Sequence, residues 1–261
     1  MNSLFNRGRL LLLAIAILMS SPLMASGWAS FAPVQEALQG AEPKTEGLKL
    51  DLPFVSEDGS SVPLEVSFEG QLEEGDRIQT IRVFATKNPN PEVIDFYFQD
   101  SRLLPNMATR VRLNETQKVI AVATSEAGQA WVAEQEVRVT VSGCLMSSDA
   151  DQNLEMQNPR VALPRRISQG QVAEIRTLIN HPMETGLRED DQGELLAQNL
   201  VDSLVVNLGD NQAIKAQFYT GVSANPYLRL QIKLSENTQA TFIWEDQKGQ
   251  QRVEERSLNL R

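Results

Sequence analysis

The sequence has one cysteine and one histidine among its 261 residues. A single histidine, His181, excludes a metal site built from several histidines and leaves no spare base for a Ser-His-Asp triad. The chain also lacks a glycine-rich phosphate loop and a Cys-x-x-Cys pair. We therefore expect no enzyme with its own turnover and no cofactor or metal. We expect His181 to hydrogen-bond a loop rather than act as a ligand or base.

A lone cysteine cannot form an internal disulfide, so the Cys144 thiol is idle, paired with another molecule, or the working group. It follows Ser142 and Gly143 at the end of the strand-like residues 137–141, a position that favours exposure. An ordinary thiol is already a few per cent thiolate at neutral pH. No neighbouring base is visible in the sequence, so the segment suits carrying a covalent group better than turnover. Ser142 and Gly143 would form a flanking arm with backbone freedom. A tolerated surface cysteine and a dimer through Cys144 are the alternatives.

The N-terminus has the pattern of a secretory signal. Arg7 and Arg9 precede an apolar run at residues 10–19, and small residues follow, so cleavage after Gly27 or Ala29 is expected. The run is shorter than the roughly 20 residues that span a bilayer as a helix, and no second hydrophobic stretch follows. We therefore predict an exported protein that is free of the membrane after cleavage. An uncleaved N-terminal anchor is the alternative.

The charge is strongly acidic. Removing the N-terminal segment removes two arginines and no acid, which changes the formal charge from −10 to −12. Nucleic-acid binding needs clustered Lys and Arg to displace counterions. The excess of acidic over basic residues therefore argues against a nucleic-acid partner.

Strand patterns dominate the rest of the chain. Apolar residues alternate with polar ones at 62–69, 81–83, 137–141 and 228–234, whereas residues 118–124 are continuously apolar, as in a strand buried on both faces. Turn signals such as Asp58-Gly59 separate these runs. Residues 30–39 and 194–200 are candidates for short helices. The pattern predicts an all-β protein.

A polar stretch without periodicity, residues 145–158, divides the strand-rich chain and is predicted to be a linker. The flanking parts, 46–144 and 159–261, each have about 100 residues, the size of one immunoglobulin-like β-sandwich. We therefore predict two immunoglobulin-like β-sandwich domains in tandem. A signal peptide (1–29) and a lead segment (30–45) would precede them.

Both halves resemble known proteins. Residues 87–91 (KNPNP), residues 109–113 (TRVRL) and a cysteine closing the last strand resemble SoxY, the thiol-bearing subunit of the carrier complex in bacterial thiosulfate oxidation. Residues 159–164, 175–188 and 224–228 resemble its partner SoxZ, and the run HPMETG at 181–186 is the most specific part. The chain is similar to a fused SoxYZ-like carrier over nearly all of its mature length.

The resemblance implies a periplasmic protein in which Cys144 takes up a sulfur intermediate and presents it to partner oxidising enzymes, Sox-type cytochromes and a hydrolase. It also implies a SoxZ-like half without chemistry of its own. SoxY, however, ends in Gly-Gly-Cys-Gly-Gly at a free C-terminus, whereas here Gly143 alone precedes the cysteine and Leu145 follows it. A tethered arm with less glycine reaches less far. Fused carriers associated with quinoprotein dehydrogenases are therefore a second resemblance, in which the protein is an accessory or adaptor with different or no covalent cargo.

Overall fold

A computed structural model describes residues 27–142, 155–190 and 192–261. Its two short helices are a 3-10 helix, Gly27–Ser30, and α1, Ala32–Leu38. The strands of the first half are β1 Leu48–Asp51, β2 Val55–Ser56, β3 Val62–Phe68, β4 Ile78–Ala85, β5 Glu92–Phe98, β6 Leu103–Val111, β7 Gln117–Ser125 and β8 Ala130–Val139. Those of the second half are β9 Gln157–Ala162, β10 Val172–Asn180, β11 Val201–Leu208, β12 Asn211–Phe218, β13 Tyr227–Lys233, β14 Thr238–Asp246 and β15 Gln251–Leu258. The prediction of an all-β protein is confirmed.

The described strands form two sheets, and both sheets run through both halves of the chain. One has the order β1-β3-β6-β13-β10-β9 and the other the order β15-β14-β11-β12-β5-β4-β7-β8-β2. The halves meet where β6 pairs with β13 and where β5 pairs with β12, both antiparallel. The sandwich of the first half is thus joined edge to edge with that of the second half within one chain.

The core lies between the two sheets and follows the period of two in the sequence. In β3 the side chains of Val62, Leu64 and Val66 point inward and are buried, with more exposed residues between them. The largest fully buried side chains include Trp131, Trp244, Phe84, Phe96 and Phe242. Burying a side chain of this size stabilises the fold by about 1.5–3 kcal/mol relative to leaving it exposed.

The helix α1 explains why residues 118–124 are apolar without alternation. Val34 and Leu38 of this helix pack against Ile120 and Val122 on the outer face of the nine-stranded sheet, while Val119 and Ala121 enter the core between the sheets. Strand β7 is therefore buried on both faces, as predicted. The helix ends at Leu38 and is capped by Gln39, which takes a left-handed conformation (φ 51°).

The predicted helix at residues 194–200 is wrong. Two isolated bridges, Glu189 with Leu195 and Glu184 with Asn199, hold the chain there in extended form. Leu195 is exposed, so the segment has no apolar stripe with which to pack a helix against the core.

The predicted N-terminal signal falls outside the described residues except for 27–29, which begin the 3-10 helix. Within the described residues, no helix combines the length and the apolar character needed to cross a membrane. The predicted linker is also largely outside them. Its last part is described, and there Met156 is buried in the core and β9 begins at Gln157.

Candidate functional site

Of the predicted carrier segment, the structure describes Ser142, whereas Gly143 and Cys144 lie outside the described residues. The site is therefore built from the place where the chain leaves the sheet. We call residues 140–142 the arm root. On one side, the short strand β2 runs parallel to the end of β8. The Thr140 amide donates to the Ser56 carbonyl at 3.1 Å, and the Gly59 amide donates to the Val141 carbonyl at 2.9 Å.

The loop that follows β6 holds the other side of the arm root. The Ser142 hydroxyl donates to Asn114 Oδ1 at 2.7 Å. Three residues before Ser142, the Val139 amide donates to Thr116 Oγ1 at 3.0 Å. Side chains rather than a backbone ladder therefore fix the direction of the chain at Ser142. Asn114 and Thr116 were not predicted from the sequence, where two polar residues after a strand indicate only a turn.

Behind this loop, the buried amide of Asn88 makes three hydrogen bonds to residues 112–117. Its Oδ1 accepts from the Asn114 amide at 3.0 Å and from Gln117 Nε2 at 2.9 Å, while its Nδ2 donates to the Arg112 carbonyl at 2.8 Å. Buried polar groups are stable only when hydrogen-bonded. This network gives a physical role to the first asparagine of the KNPNP motif.

Arg112, from the TRVRL motif, reaches across to the second half. Its buried guanidinium donates through Nη1 to the Met183 carbonyl at 2.6 Å and through Nη2 to the Pro182 carbonyl at 2.9 Å. Met183 has a positive φ of 52°, a conformation that is uncommon for residues other than glycine. The His181 ring supports it, since Nδ1 accepts from the Met183 amide at 3.1 Å. His181 thus hydrogen-bonds its own loop, as expected.

A second buried polar cluster joins the halves where β5 meets β12. Asp95, fully buried, accepts at Oδ2 from Arg82 Nε at 3.0 Å, from the Tyr219 hydroxyl at 3.1 Å and from the Tyr97 hydroxyl at 3.3 Å. Burial raises the pKa of the Asp95 carboxyl, against the opposing effect of the Arg82 charge. Burial, followed by the charge of Asp95, raises the pKa of the Tyr219 hydroxyl.

Large apolar side chains are exposed beside the arm root. Phe54 is 82% exposed, Val55 53% and Val141 47%. Phe54 and Val55 belong to the segment that pairs with the end of β8, since the Arg138 amide donates to the Phe54 carbonyl at 2.9 Å. Exposed large apolar side chains in neighbouring segments are typical of interaction surfaces.

Two open grooves of the described chain are lined by residues other than those of the arm root. An open groove of about 750 Å³ is lined by Trp28, Leu48, Lys49, Glu65 and Glu134, among others. A second one of about 440 Å³ is lined by Pro53, Leu64, Arg110 and Tyr227, among others. Within residues 27–142, 155–190 and 192–261, no three His, Cys, Asp or Glu side chains are grouped so that they could hold a metal ion.

The fold and the arm root define a class of two-part, all-β proteins in which the first part ends in a cysteine-bearing segment. The family model for sulfur oxidation protein SoxY matches residues 34–144 and therefore ends at Cys144. The model for sulphur oxidation protein SoxZ matches residues 161–257. The chain belongs to the SoxYZ family as a fused protein, with a SoxY domain followed by a SoxZ domain. Proteins of this sulfur-oxidation family are carriers or adaptors that work with partner sulfur-oxidation enzymes.

The remaining comparisons add little. No curated protein matches the chain. A superoxide reductase (neelaredoxin) from Ignicoccus hospitalis is 19% identical over 36% of this chain and 81% of its own, with a TM-score of 0.33. A candidate superoxide reductase from Thermotoga maritima is 20% identical over 37% of this chain and 93% of its own, with a TM-score of 0.32. Likenesses this low carry no argument about this protein.

Proposed function

We propose that this protein is a periplasmic covalent carrier that holds a sulfur intermediate on the Cys144 thiol and presents it to partner oxidising enzymes. The observation that carries the proposal is the SoxY match, which ends at the single cysteine of the chain. The described structure supports it, since strand β8 of the nine-stranded sheet ends at Val139 and the described chain reaches Ser142, two residues before this cysteine.

The loading and release reactions that the family implies need no cofactor in the carrier. The Cys144 thiol loses its proton, and a sulfur–sulfur bond forms with the outer sulfur of thiosulfate. The two sulfur atoms together lose two electrons as this bond forms, and a Sox-type cytochrome would accept them. A hydrolase would later use water to cleave the bond between the outer sulfur and the sulfonate group, which releases sulfate and a proton and leaves a persulfide on Cys144. The protein itself supplies the nucleophilic sulfur and its presentation.

The exposed apolar residues beside the arm root support contact with such partners. Phe54, Val55 and Val141 offer apolar area of the kind that is enriched at the centres of protein interfaces. Acidic residues, Glu57, Asp58 and Glu115, lie in the neighbouring segments. This surface would suit an enzyme whose active-site entrance is apolar with basic residues around it.

One sequence feature favours a second candidate, an adaptor of a periplasmic quinoprotein dehydrogenase with different or no covalent cargo. Leu145 stands where SoxY has glycine, and the chain continues into the SoxZ domain instead of ending. A tethered segment reaches less deeply into an enzyme than a free glycine-rich terminus.

The first test is intact-mass spectrometry of the full-length protein isolated from producing cells grown with and without thiosulfate. We expect a sulfur-containing adduct in the thiosulfate culture that dithiothreitol removes. Cys144→Ser and prior alkylation with iodoacetamide should each abolish it. Wild-type protein without any adduct under these conditions would contradict the carrier proposal.

The second measurement separates the carrier from the adaptor. Strains carrying Cys144→Ser and strains lacking the protein are compared for thiosulfate-dependent growth. A carrier requires both strains to fail. Normal growth of the Cys144→Ser strain beside failure of the deletion strain would establish the adaptor instead.

A further inference from the structure

A continuous hydrogen-bonded path runs from the HPMETG segment of the SoxZ domain to the arm root of the SoxY domain. The Met183 carbonyl accepts from Arg112 Nη1 at 2.6 Å, and the Arg112 carbonyl accepts from Asn88 Nδ2 at 2.8 Å. Asn88 Oδ1 accepts from the Asn114 amide at 3.0 Å. Asn114 Oδ1 then accepts from the Ser142 hydroxyl at 2.7 Å. Every member is described, and the path ends two residues before Cys144.

The inner part of this path has little freedom to rearrange. Arg112 and Asn88 are buried, with 6% and 8% of their surfaces exposed, so water does not readily replace their partners. The orientation of the Asn88 amide is determined by its surroundings, because two donors, the Asn114 amide and Gln117 Nε2, face its oxygen. A flipped amide would place donors against donors. A displacement at Arg112 therefore has to be absorbed by Asn88 and the loop at Asn114.

The outer end of the path acts where the strand pairing stops. Val141 is still held by the backbone bond from Gly59. At Ser142 the hydrogen bond from its hydroxyl to Asn114 Oδ1 replaces the backbone pairing, and Asn114 is itself only half-buried. The direction in which the chain leaves the sheet thus depends on the Asn114 side chain, and through it on Asn88 and Arg112.

We propose that Arg112, Asn88 and Asn114 are positioning residues through which the SoxZ domain fixes the arm root. The inference rests on the proposed function for its purpose, since a carrier gains from presenting its thiol in a defined direction. The SoxZ domain then does more than complete the fold: the loop around Met183 holds the arginine that anchors the path.

The test uses the single cysteine as a reporter. The full-length protein is labelled at Cys144 with a nitroxide methanethiosulfonate, and its electron paramagnetic resonance spectrum is recorded without partner or cargo. Asn114→Ala and Ser142→Ala should each narrow the central line, and Ser142→Thr, which keeps the hydroxyl, should restore the wild-type line. Glu136→Gln, on strand β8 before the arm root but exposed and outside the path, serves as the matched control and should leave the spectrum unchanged.

The claim about the SoxZ domain is tested with Arg112→Lys, which keeps the charge but loses the two-pronged contact with the Met183 and Pro182 carbonyls. We expect it to narrow the line as well. The double variant Arg112→Lys with Ser142→Ala should add little to either single change, because coupled residues are not additive. Circular dichroism verifies that each variant is folded.

An unchanged line in Asn114→Ala, or fully additive effects in the double variant, would overturn the proposal. If Arg112→Lys does not fold, the combination of Asn114→Ala with Ser142→Ala still decides whether the outer link exists, since neither residue is buried. The measurement needs no cargo, so its failure would leave the thiol carrier untouched. Failure of the loading experiment would equally leave the path untouched.

Discussion

Replacing Tyr219 with phenylalanine removes one hydroxyl from the buried contact between the two halves. That hydroxyl donates at 3.1 Å to Oδ2 of Asp95, which is fully buried. Arg82 Nε and the Tyr97 hydroxyl donate to the same oxygen at 3.0 and 3.3 Å. The variant keeps the ring and its packing, so the lost hydrogen bond accounts for most of the change.

The expected loss of unfolding free energy in Tyr219→Phe follows from the charge and the burial of the acceptor, Asp95. A hydrogen bond to a charged group contributes about 1.5–3 kcal/mol, and two other donors remain on the carboxylate, so we expect a loss of about 2 kcal/mol at pH 7. Tyr97→Phe is the matched control. Its hydroxyl lies farther from Asp95 Oδ2, at 3.3 Å against 3.1 Å, so its hydrogen bond is weaker and we expect a loss of less than about 1 kcal/mol.

The measurement is urea unfolding followed by circular dichroism, at pH 7 and at a pH below the raised pKa of Asp95. The donor stabilises the ionised carboxyl, so the loss should be smaller where Asp95 is protonated. Two results would refute the reasoning: a loss below about 0.5 kcal/mol for Tyr219→Phe, within the range of ordinary surface changes, or an equal or larger loss for Tyr97→Phe.

Two further predictions concern stability. Burial raises the pKa of Asp95 above its ordinary value of 3.8 in the folded protein, so its contribution is present below 3.8 and is lost as the pH rises through the raised value. The unfolding free energy of wild type minus that of Asp95→Asn should therefore fall over this window in a pH series of urea titrations, and a flat difference would contradict the assignment. Gly47 (φ 104°) and Gly40 (φ 85°) both have left-handed backbones, but a Cβ at Gly47 would lie 2.6 Å from the Gly70 Cα, whereas one at Gly40 meets nothing within 4 Å. Thermal unfolding should show that Gly40→Ala lowers the free energy of unfolding by about 1–2 kcal/mol and that Gly47→Ala lowers it clearly more. Equal losses for the two variants would contradict the prediction and show that the backbone at Gly70 moves to accommodate the new Cβ.

Much of the local structure could be predicted from the sequence because it depends on local patterns. The alternation at residues 228–234 corresponds to β13 (Tyr227–Lys233), and the continuous apolar run at 118–124 corresponds to β7 between the core and α1. The segment 194–200 differs from the predicted short helix because its composition permits a helix, whereas its two bridges pair it with the segment just before it in the sequence, Leu195 with Glu189 and Asn199 with Glu184.

The joining of the halves could not be predicted, because it is set by pairing between residues far apart in sequence. Nothing in the sequence of β5 indicates that Phe96 lies opposite Ala216, or in β6 that Met107 lies opposite Leu230. The same applies to the arm root. The motifs with Asn88 and Arg112 could be singled out by resemblance, but their link through Asn114 to Ser142 appears only when three loops are placed side by side.

The shared sheets have a consequence for how this protein is held together. Each half covers strands that would otherwise be open edges of the other: β5 is covered by β12, and β6 by β13. Expressed alone, either half would present unpaired backbone N–H and C=O groups and would recruit another chain or aggregate. A chain nicked between the halves would instead stay assembled through these two seams. The peptide link thus guarantees equal numbers of the two parts, while cohesion comes from the sheets themselves.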